Sequence, residues 1–363
     1  MASLWNNKIT VSLFGEAQGP AIGVVIDNLP PGEHVDINEV RNFLARRVSM
    51  PVGKNVRYAN DNMIQVMSGL IGGKTTGTPL CAFIQNLDCQ PVNNVTMPKL
   101  ARPGHADYTG TVRYKGFSDV RDGGHSSDRL TIPLVFAGAV CGQILERRGI
   151  YCGAHILQVH NIKDKEFDNI KLTREQIKDL RRVKFPVLDS QAGELMREDI
   201  ERAQEGGESL GGIVECAVIN VPAGIGSPIF DGLENCIAQL VFGIPNVKGI
   251  EFGAGFKCAE MVGSQNNDEF YVNEHGHVVT KTNNHGGILG GISSGMPITL
   301  KVAFKPNPTI AKPQKTVDYG TMENATLVFS GSHNACVVPA CVPCVESAVN
   351  IAILSNMLDY PNF

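Results

Sequence analysis

His105 sits in the segment RPGHAD, two residues before Asp107, and histidine is the side chain whose proton exchanges near neutral pH. Such an imidazole either moves a proton in a reaction or is merely fixed in a turn by its carboxylate neighbour. The segment HSSDR, with Ser126, Ser127 and Arg129, reads on its own as a capping turn. Arg46 and Arg47 close the helical stretch DINEVRNFLARR, as a solvated basic helix end or as guanidiniums available to an anion. The 39 glycines crowd into loops, above all NNHGGILGGISSG at 283 to 295. Loops of this kind let backbone N–H groups approach a phosphate or a planar ring, although many are only tight turns. None matches the G-x-x-x-x-G-K-[ST] phosphate loop or the dinucleotide G-x-G-x-x-G pattern. Cys341 and Cys344 have C-x-x-C spacing, but no second pair follows, so no metal is expected.

These residues need elements to position them. Ile9, Val11 and Leu13 alternate before a GEAQG turn and AIGVVID, which predicts two paired strands. Asp36 and Glu39 predict a capping box at the start of a helix that ends near Val48. QVMSGLIGG and TPLCAFIQN predict a further strand pair. PLVFAGAVCGQILERRG predicts a helix apolar on most faces. Residues 160 to 207 are charged and helical and read as an outer insertion in a single domain spanning 1 to 363. GGIVECAVIN and ITLKVAF return to strand pattern, and PCVESAVNIAILSNML predicts a buried terminal helix. With 43% hydrophobic and 19% charged residues and a net charge of −4, the composition is that of a soluble globular chain. No long basic run suggests nucleic acid or an anionic membrane as partner. Neither a secretory signal nor a run of about 18 apolar residues is visible, and most of the ten cysteines lie in apolar stretches, so a cytoplasmic location is expected.

Three separated segments carry a more specific signal: FGEAQGPAIGVVIDNLPPG at 14 to 32, RPGHADYTGTVRYKGFSDVRDGGHSSDRLT at 102 to 131, and GSHNACVVPACVPCVESAV at 331 to 349. With SGLIGGKTTGTPL, VPAGIGSPIFD, VKGIEFGAGF and the 283 to 295 loop followed by KPNPTI, the chain resembles the chorismate synthase family from about residue 5 to about residue 355. The resemblance implies an α+β fold, a β-α-β sandwich with helices between two antiparallel sheets, assembled as a homotetramer. It implies reduced FMN as cofactor and a small anionic cyclohexene substrate. The family's reaction is the 1,4-anti elimination of phosphate from 5-enolpyruvylshikimate 3-phosphate to chorismate, a step of the shikimate pathway to aromatic amino acids. By the same resemblance His105 is catalytic, and Arg46, Arg47, Ser126, Ser127 and Arg129 hold substrate or flavin. Asn284, His285, Gly286, Gly287, Gly290, Gly291, Ser293, Lys305 and Thr309 are expected to cradle the flavin, in one cavity shared with His105 and Arg129.

Hydrophobic and glycine positions match this family closely, whereas ionisable positions do not. The family's GESHG histidine is replaced in GEAQG, where Ala17 precedes Gln18 at a catalytic position. Glutamine exchanges hydrogen bonds but cannot shuttle a proton. Ser332 and Asn334 stand where the family has Arg and a catalytic-position Asp, Ala340 where it has a substrate arginine, Val48 for a further arginine, and Gln265 for Glu. His125 stands where many members have arginine, although some carry GGH here. Low turnover of the usual substrate is therefore expected. Two other readings stand beside it: a flavin-binding relative acting on another cyclohexene carboxylate, and a non-catalytic assembly partner.

Overall fold

A computed structural model of the chain describes residues 3–48, 64–86, 99–329 and 334–359. Two five-stranded antiparallel sheets enclose a layer of helices. The first sheet runs, edge to edge, Leu4–Asn6, Thr10–Phe14, Ala21–Asp27, Leu80–Gln85 and Ile64–Ser68. The second runs Val247–Phe252, Ile298–Phe304, Gly212–Ile219, Tyr151–Val159 and Ile162–Lys163. Both expected strand pairs of the first sheet form, with Val11 opposite Ile26 and Val66 opposite Ala82. The short first strand at Leu4–Asn6 had no signal long enough to read.

Between the sheets lie Thr131–Arg147 and the terminal helix Val338–Met357. By length and mean hydropathy the stretch Arg121–Arg147 and the terminal helix could each cross a membrane, but both are mostly buried here because each helix meets a sheet on one side and the other helix on the next. Their contact is backbone to backbone: a Cβ on Gly138 would lie 2.2 Å from Ser347 Cα. Any larger residue at 138 must push the helices, and the sheets behind them, apart.

The expected capping box at Ile37–Val48 is half local and half tertiary. Asp36 Oδ1 accepts from Asn38 N at 2.8 Å and Glu39 N at 3.4 Å. The reciprocal bond comes not from Glu39 but from Gln143, whose Oε1 accepts from Asp36 N at 2.8 Å. A glutamine on the central helix thus takes the role expected of the local glutamate.

Strand alternation sends Cys152, Ala154 and Ile156 inward to the main core, and Tyr151, Ala217 and Ile219 outward to a second one. The charged segment covers this outer face. Helix Arg174–Arg182 begins at a capping box between Thr173 and Gln176 and buries Ile177 and Leu180 against the sheet. Helix Ser190–Glu205 follows it. Beneath them His155, fully buried, faces its cross-strand partner Glu215 at 2.8 Å and Asp164 at 3.1 Å. Burial alone would lower the imidazole pKa, but the hydrogen bonds and charges of Asp164 and Glu215 outweigh it and raise the value.

A raised folded pKa fixes the sign of the linkage. The stability owed to this cluster is full below about 6.5, the ordinary imidazole value, and is lost as pH rises through the higher folded value. The urea midpoint is expected to fall across that window, and His155→Gln to flatten this limb while lowering the midpoint at acid pH. A midpoint equally pH-dependent in both proteins would refute the assignment.

Candidate active site

Three loops meet at one end of the first sheet: 15 to 19, 102 to 107 and 121 to 131. The third is built against the steric preferences of its own backbone. Asp122, Gly123 and Gly124 are consecutively left-handed, at φ 48°, 88° and 54°. A Cβ on Gly124 would lie 1.7 Å from the carbonyl oxygen of Asp119, so only glycine fits. The reversal presents Gly124 O to Ala17 N at 3.0 Å and brings Gly123 against the His105 ring. Arg129 Nη1 donates to Ala17 O at 2.7 Å, and Asn86 Nδ2 donates to the carbonyls of Ala17 and Gly19 at 2.9 and 3.0 Å. Gln18 Nε2 contacts the Asp122 carboxylate. Position 18 is thereby held beside an acceptor, with a side chain that has no proton to give up.

His105 is held from two sides. Its Nδ1 lies 2.7 Å from Asp107 Oδ1, while Arg102 Nη2 lies 3.1 and 3.2 Å from the two ring nitrogens. Arg102 also grips Asp107, through Nε at 2.7 Å and Nη2 at 2.9 Å. Burial would raise the Asp107 pKa, but hydrogen bonds from Arg102 and then His105 hold it well below the usual carboxylate range. The carboxylate therefore stays an acceptor and orients the imidazole. Lys305, at the end of the strand Ile298–Phe304, donates from Nζ to Gly104 O at 2.6 Å. Its pKa is lowered, first by burial and then by Lys248. Thr309 Oγ1 lies 3.3 Å from Arg102 Nη1, and Asn307 Nδ2 donates to Asn334 O at 3.3 Å. Asn334 Oδ1 in turn accepts from Cys336 N at 3.0 Å, which places this position at the rim of the same cluster.

Of these groups, Gly104, His105 and Lys305 line a cavity of about 580 Å³, within the range of small-ligand sites. Trp5, Leu13, Leu134 and Leu240 give it an apolar wall, and His105, His125, Ser126, Ser127, Lys248 and Lys305 supply the polar one. No acidic residue is among the described residues that line it. Two ammonium groups and two imidazoles on the wall, with the Asp107 carboxylate set behind His105, make a pocket suited to an anion.

The family model described as chorismate synthase matches residues 9–358. Chorismate synthase of Thermococcus kodakarensis is 41% identical over 350 residues, covering 96% of each chain. That of Lancefieldella parvula is 40% identical over 372 residues, covering 100% of this chain and 98% of its own. A solved structure titled "Crystal Structure of Chorismate Synthase" superposes with a TM-score of 0.75 at 27% identity, covering 98% of this chain and 93% of that one.

The chain belongs to the chorismate synthase family.

The sandwich expected for a chorismate synthase is the one observed, but the site differs from expectation in three respects. First, Arg46 does not reach the cavity. Its Nη1 and Nη2 bind both oxygens of the buried Glu346, at 2.5 and 2.9 Å, so it is neither a solvated helix end nor free for substrate. Arg47, the next residue, turns the other way. Its Nε donates to Thr131 Oγ1 at 2.8 Å and its Nη2 to Asp128 O at 3.1 Å, one side chain behind the cavity wall.

Second, the glycine-rich loop does not share the cavity. Asn284, His285, Gly286, Gly287, Gly290, Gly291 and Ser293 precede the strand Ile298–Phe304, and Lys305 follows it. Seven extended residues separate the two ends by about 20 Å. The loop is bound up locally instead. Asn284 and His285 N–H groups donate to Asp268 at 2.8 and 2.9 Å, Ser293 Oγ donates to Pro222 O at 2.5 Å, and Gly291 O accepts from Leu233 N at 2.9 Å. Third, Arg129 fastens the 15 to 19 loop and is not among the lining residues.

Sequence reading passed over Lys248 and gave little weight to His125, whose Nδ1 lies 2.7 Å from Gly15 O and whose Nε2 contacts Ser3 Oγ. Lys248 is the second residue of the edge strand Val247–Phe252, where the pairing register shifts, and it carries no local sequence signal. Of the family departures, Ala17, Gln18, Gln265, Asn334 and Ala340 fall on described residues. Ser332 and the side chain of Val48 lie outside them.

Proposed function

We propose that this chain is an FMN-dependent lyase of the chorismate synthase type, with low turnover of 5-enolpyruvylshikimate 3-phosphate to chorismate. The observation that carries the reading is the cavity beside His105, lined by two lysines, two histidines and no described acidic residue. Lys305 and Lys248 provide the positive charge that a phosphate-bearing cofactor or substrate needs, and the Trp5 and Leu240 side provides an apolar surface for a planar ring. Bound reduced FMN supplies electron density that eases departure of the substrate phosphate. His105, oriented by Asp107, is the group placed to hold or move a proton. Ser126 and Ser127 offer hydroxyls at the wall. Gln18 cannot replace the missing proton donor, and Ala340 leaves one anion contact unmade, which is the reason for expecting slow turnover. The family's homotetramer, its place in the shikimate pathway and a cytoplasmic setting belong to the same proposal.

The test is purified protein with anaerobically reduced FMN and enolpyruvylshikimate phosphate. Flavin binding with only trace chorismate is the expected result, and flavin affinity should drop in Lys305→Ala. Brisk chorismate formation would overturn the low-turnover reading. Flavin binding without any turnover would point to another cyclohexene carboxylate, and no flavin affinity to a non-catalytic assembly role.

A further inference from the structure

Apart from the His105 cluster, the same cavity holds a second histidine in contact with a hydroxyl. His125 belongs to the reversed loop in which only glycine fits at 124, and its ring is held at both nitrogens. Nδ1 lies 2.7 Å from the carbonyl oxygen of Gly15, and Nε2 meets Ser3 Oγ. A carbonyl oxygen only accepts, so the neutral imidazole carries its proton on Nδ1. The Nε2 lone pair is then left to accept from the Ser3 hydroxyl. Gly15 is fixed in its turn. Its φ of 105° is left-handed, and a Cβ there would lie 2.4 Å from Ala21 O, so the turn that offers this carbonyl admits only glycine.

Ser3 is fixed from the other side. Its carbonyl accepts from Leu13 N at 2.9 Å, just ahead of the strand Leu4–Asn6, which pairs with Thr10–Phe14. Ser3, Trp5, Leu13 and His125 all line the cavity. The sequence of contacts is hydroxyl, imidazole, carbonyl: a nucleophile within reach of a base, and the base oriented by a third group. Ser126 and Ser127 also reach the cavity, but the hydroxyl in contact with an imidazole is that of Ser3. Lys248 and Lys305 put two ammonium groups on the same wall, which favours the negative charge that a carbonyl oxygen develops under attack.

We propose that Ser3 and His125 form a nucleophile–base pair that hydrolyses a small activated carboxylic ester through an acyl-serine. Ser3 Oγ bonds to the ester carbonyl carbon as its proton passes to His125 Nε2. The imidazolium that forms keeps its Nδ1–H on Gly15 O. The tetrahedral adduct collapses, the bond to the leaving oxygen breaks, and that oxygen takes the electron pair and the Nε2 proton. Water then attacks the acyl carbon, giving one proton to Nε2. The Ser3 oxygen leaves with that proton, so the net change is ester and water to acid and alcohol. No redox partner is needed and no flavin takes part, so the outcome is separate from that of the chorismate assay.

The purified full chain is mixed with p-nitrophenyl acetate, nitrophenolate release is followed, and the protein is then mapped by mass spectrometry. A burst of about one nitrophenolate per chain is expected before slower turnover, with an acetyl group on the peptide that contains Ser3. Ser3→Ala should lose the burst and Ser3→Cys should regain it as a thioester, a rescue that a purely structural tie between the two segments would not give. His125→Gln, which keeps a donor for Gly15 O, should acylate at least about 100-fold more slowly. The map of the unaltered protein decides the matter even where a variant misfolds. No acetyl group at Ser3, acetylation confined to lysines or to Ser126 and Ser127, or an unchanged rate in His125→Gln would each overturn the proposal.

Discussion

Introducing Gln18→His, Asn334→Asp and Ala340→Arg together is expected to raise chorismate formation by the FMN-loaded chain by at least about 100-fold, because a positioned acid or base contributes about 10²–10⁴. The surroundings favour the change at position 18. Gln18 already contacts the Asp122 carboxylate, and a histidine there would meet an acceptor that steadies the protonated ring. Asn334 Oδ1 accepts from Cys336 N, a bond that an aspartate oxygen can keep while restoring the negative charge. Ala340 is partly buried in the first turn of the terminal helix, where an arginine would add a guanidinium. Chorismate absorbance under anaerobic conditions gives the rate. An unchanged rate in a variant that still binds flavin would show that the cavity beside His105 is not where this chemistry occurs.

Glu346→Ala is expected to cost about 3–5 kcal/mol of folding stability, the range for breaking a buried ion pair from one side. Glu346 is fully buried on the terminal helix, holds both Nη atoms of Arg46, accepts from Ala154 N at 2.9 Å, and lies 4.0 Å from Arg181 Nε. Removing it takes the buried carboxylate from Arg46 and leaves Arg181 with Glu146 and the Cys152 carbonyl. The charge of Arg181 is opposed by burial and favoured first by Glu346 and then by Glu146, so its pKa is raised. Urea unfolding measures the loss, with Asp179→Ala in the exposed Arg182–Asp179 pair as the comparison. If the two midpoints move alike, Glu346 is not the keystone of this layer. The double variant Arg46→Met, Glu346→Leu should recover much of the stability, since it removes both charges and keeps the volume.

Much of the fold is legible in the sequence because it follows from local periodicity. Alternation in Ile9 to Leu13 and in ITLKVAF gives strands, and all-round apolarity in PCVESAVNIAILSNML gives a helix with no wet face. The Thr173–Gln176 capping box is local and closes within its own segment. The Asp36–Glu39 box is equally regular in sequence, yet Gln143 takes its second bond, because a helix packed from elsewhere in the chain offers a better-placed acceptor.

The site divides in the same way. His105 and Asp107 meet because they are neighbours in one turn, and the sequence suffices to pair them. Arg46 and Arg47 look interchangeable in a one-dimensional reading. On a helix, consecutive residues point about 100° apart. One guanidinium therefore enters the core toward Glu346 and the other turns to Thr131 and Asp128. The loop at 283 to 295 and Lys305 are close in sequence, but a rigid strand holds them at opposite ends of a sheet. What the amino-acid order alone determined was the set of elements, their family and the local pairs, since these depend on neighbours along the chain. Which charged groups share a cavity was decided only when the two sheets closed on their helices, since that depends on the direction each side chain points.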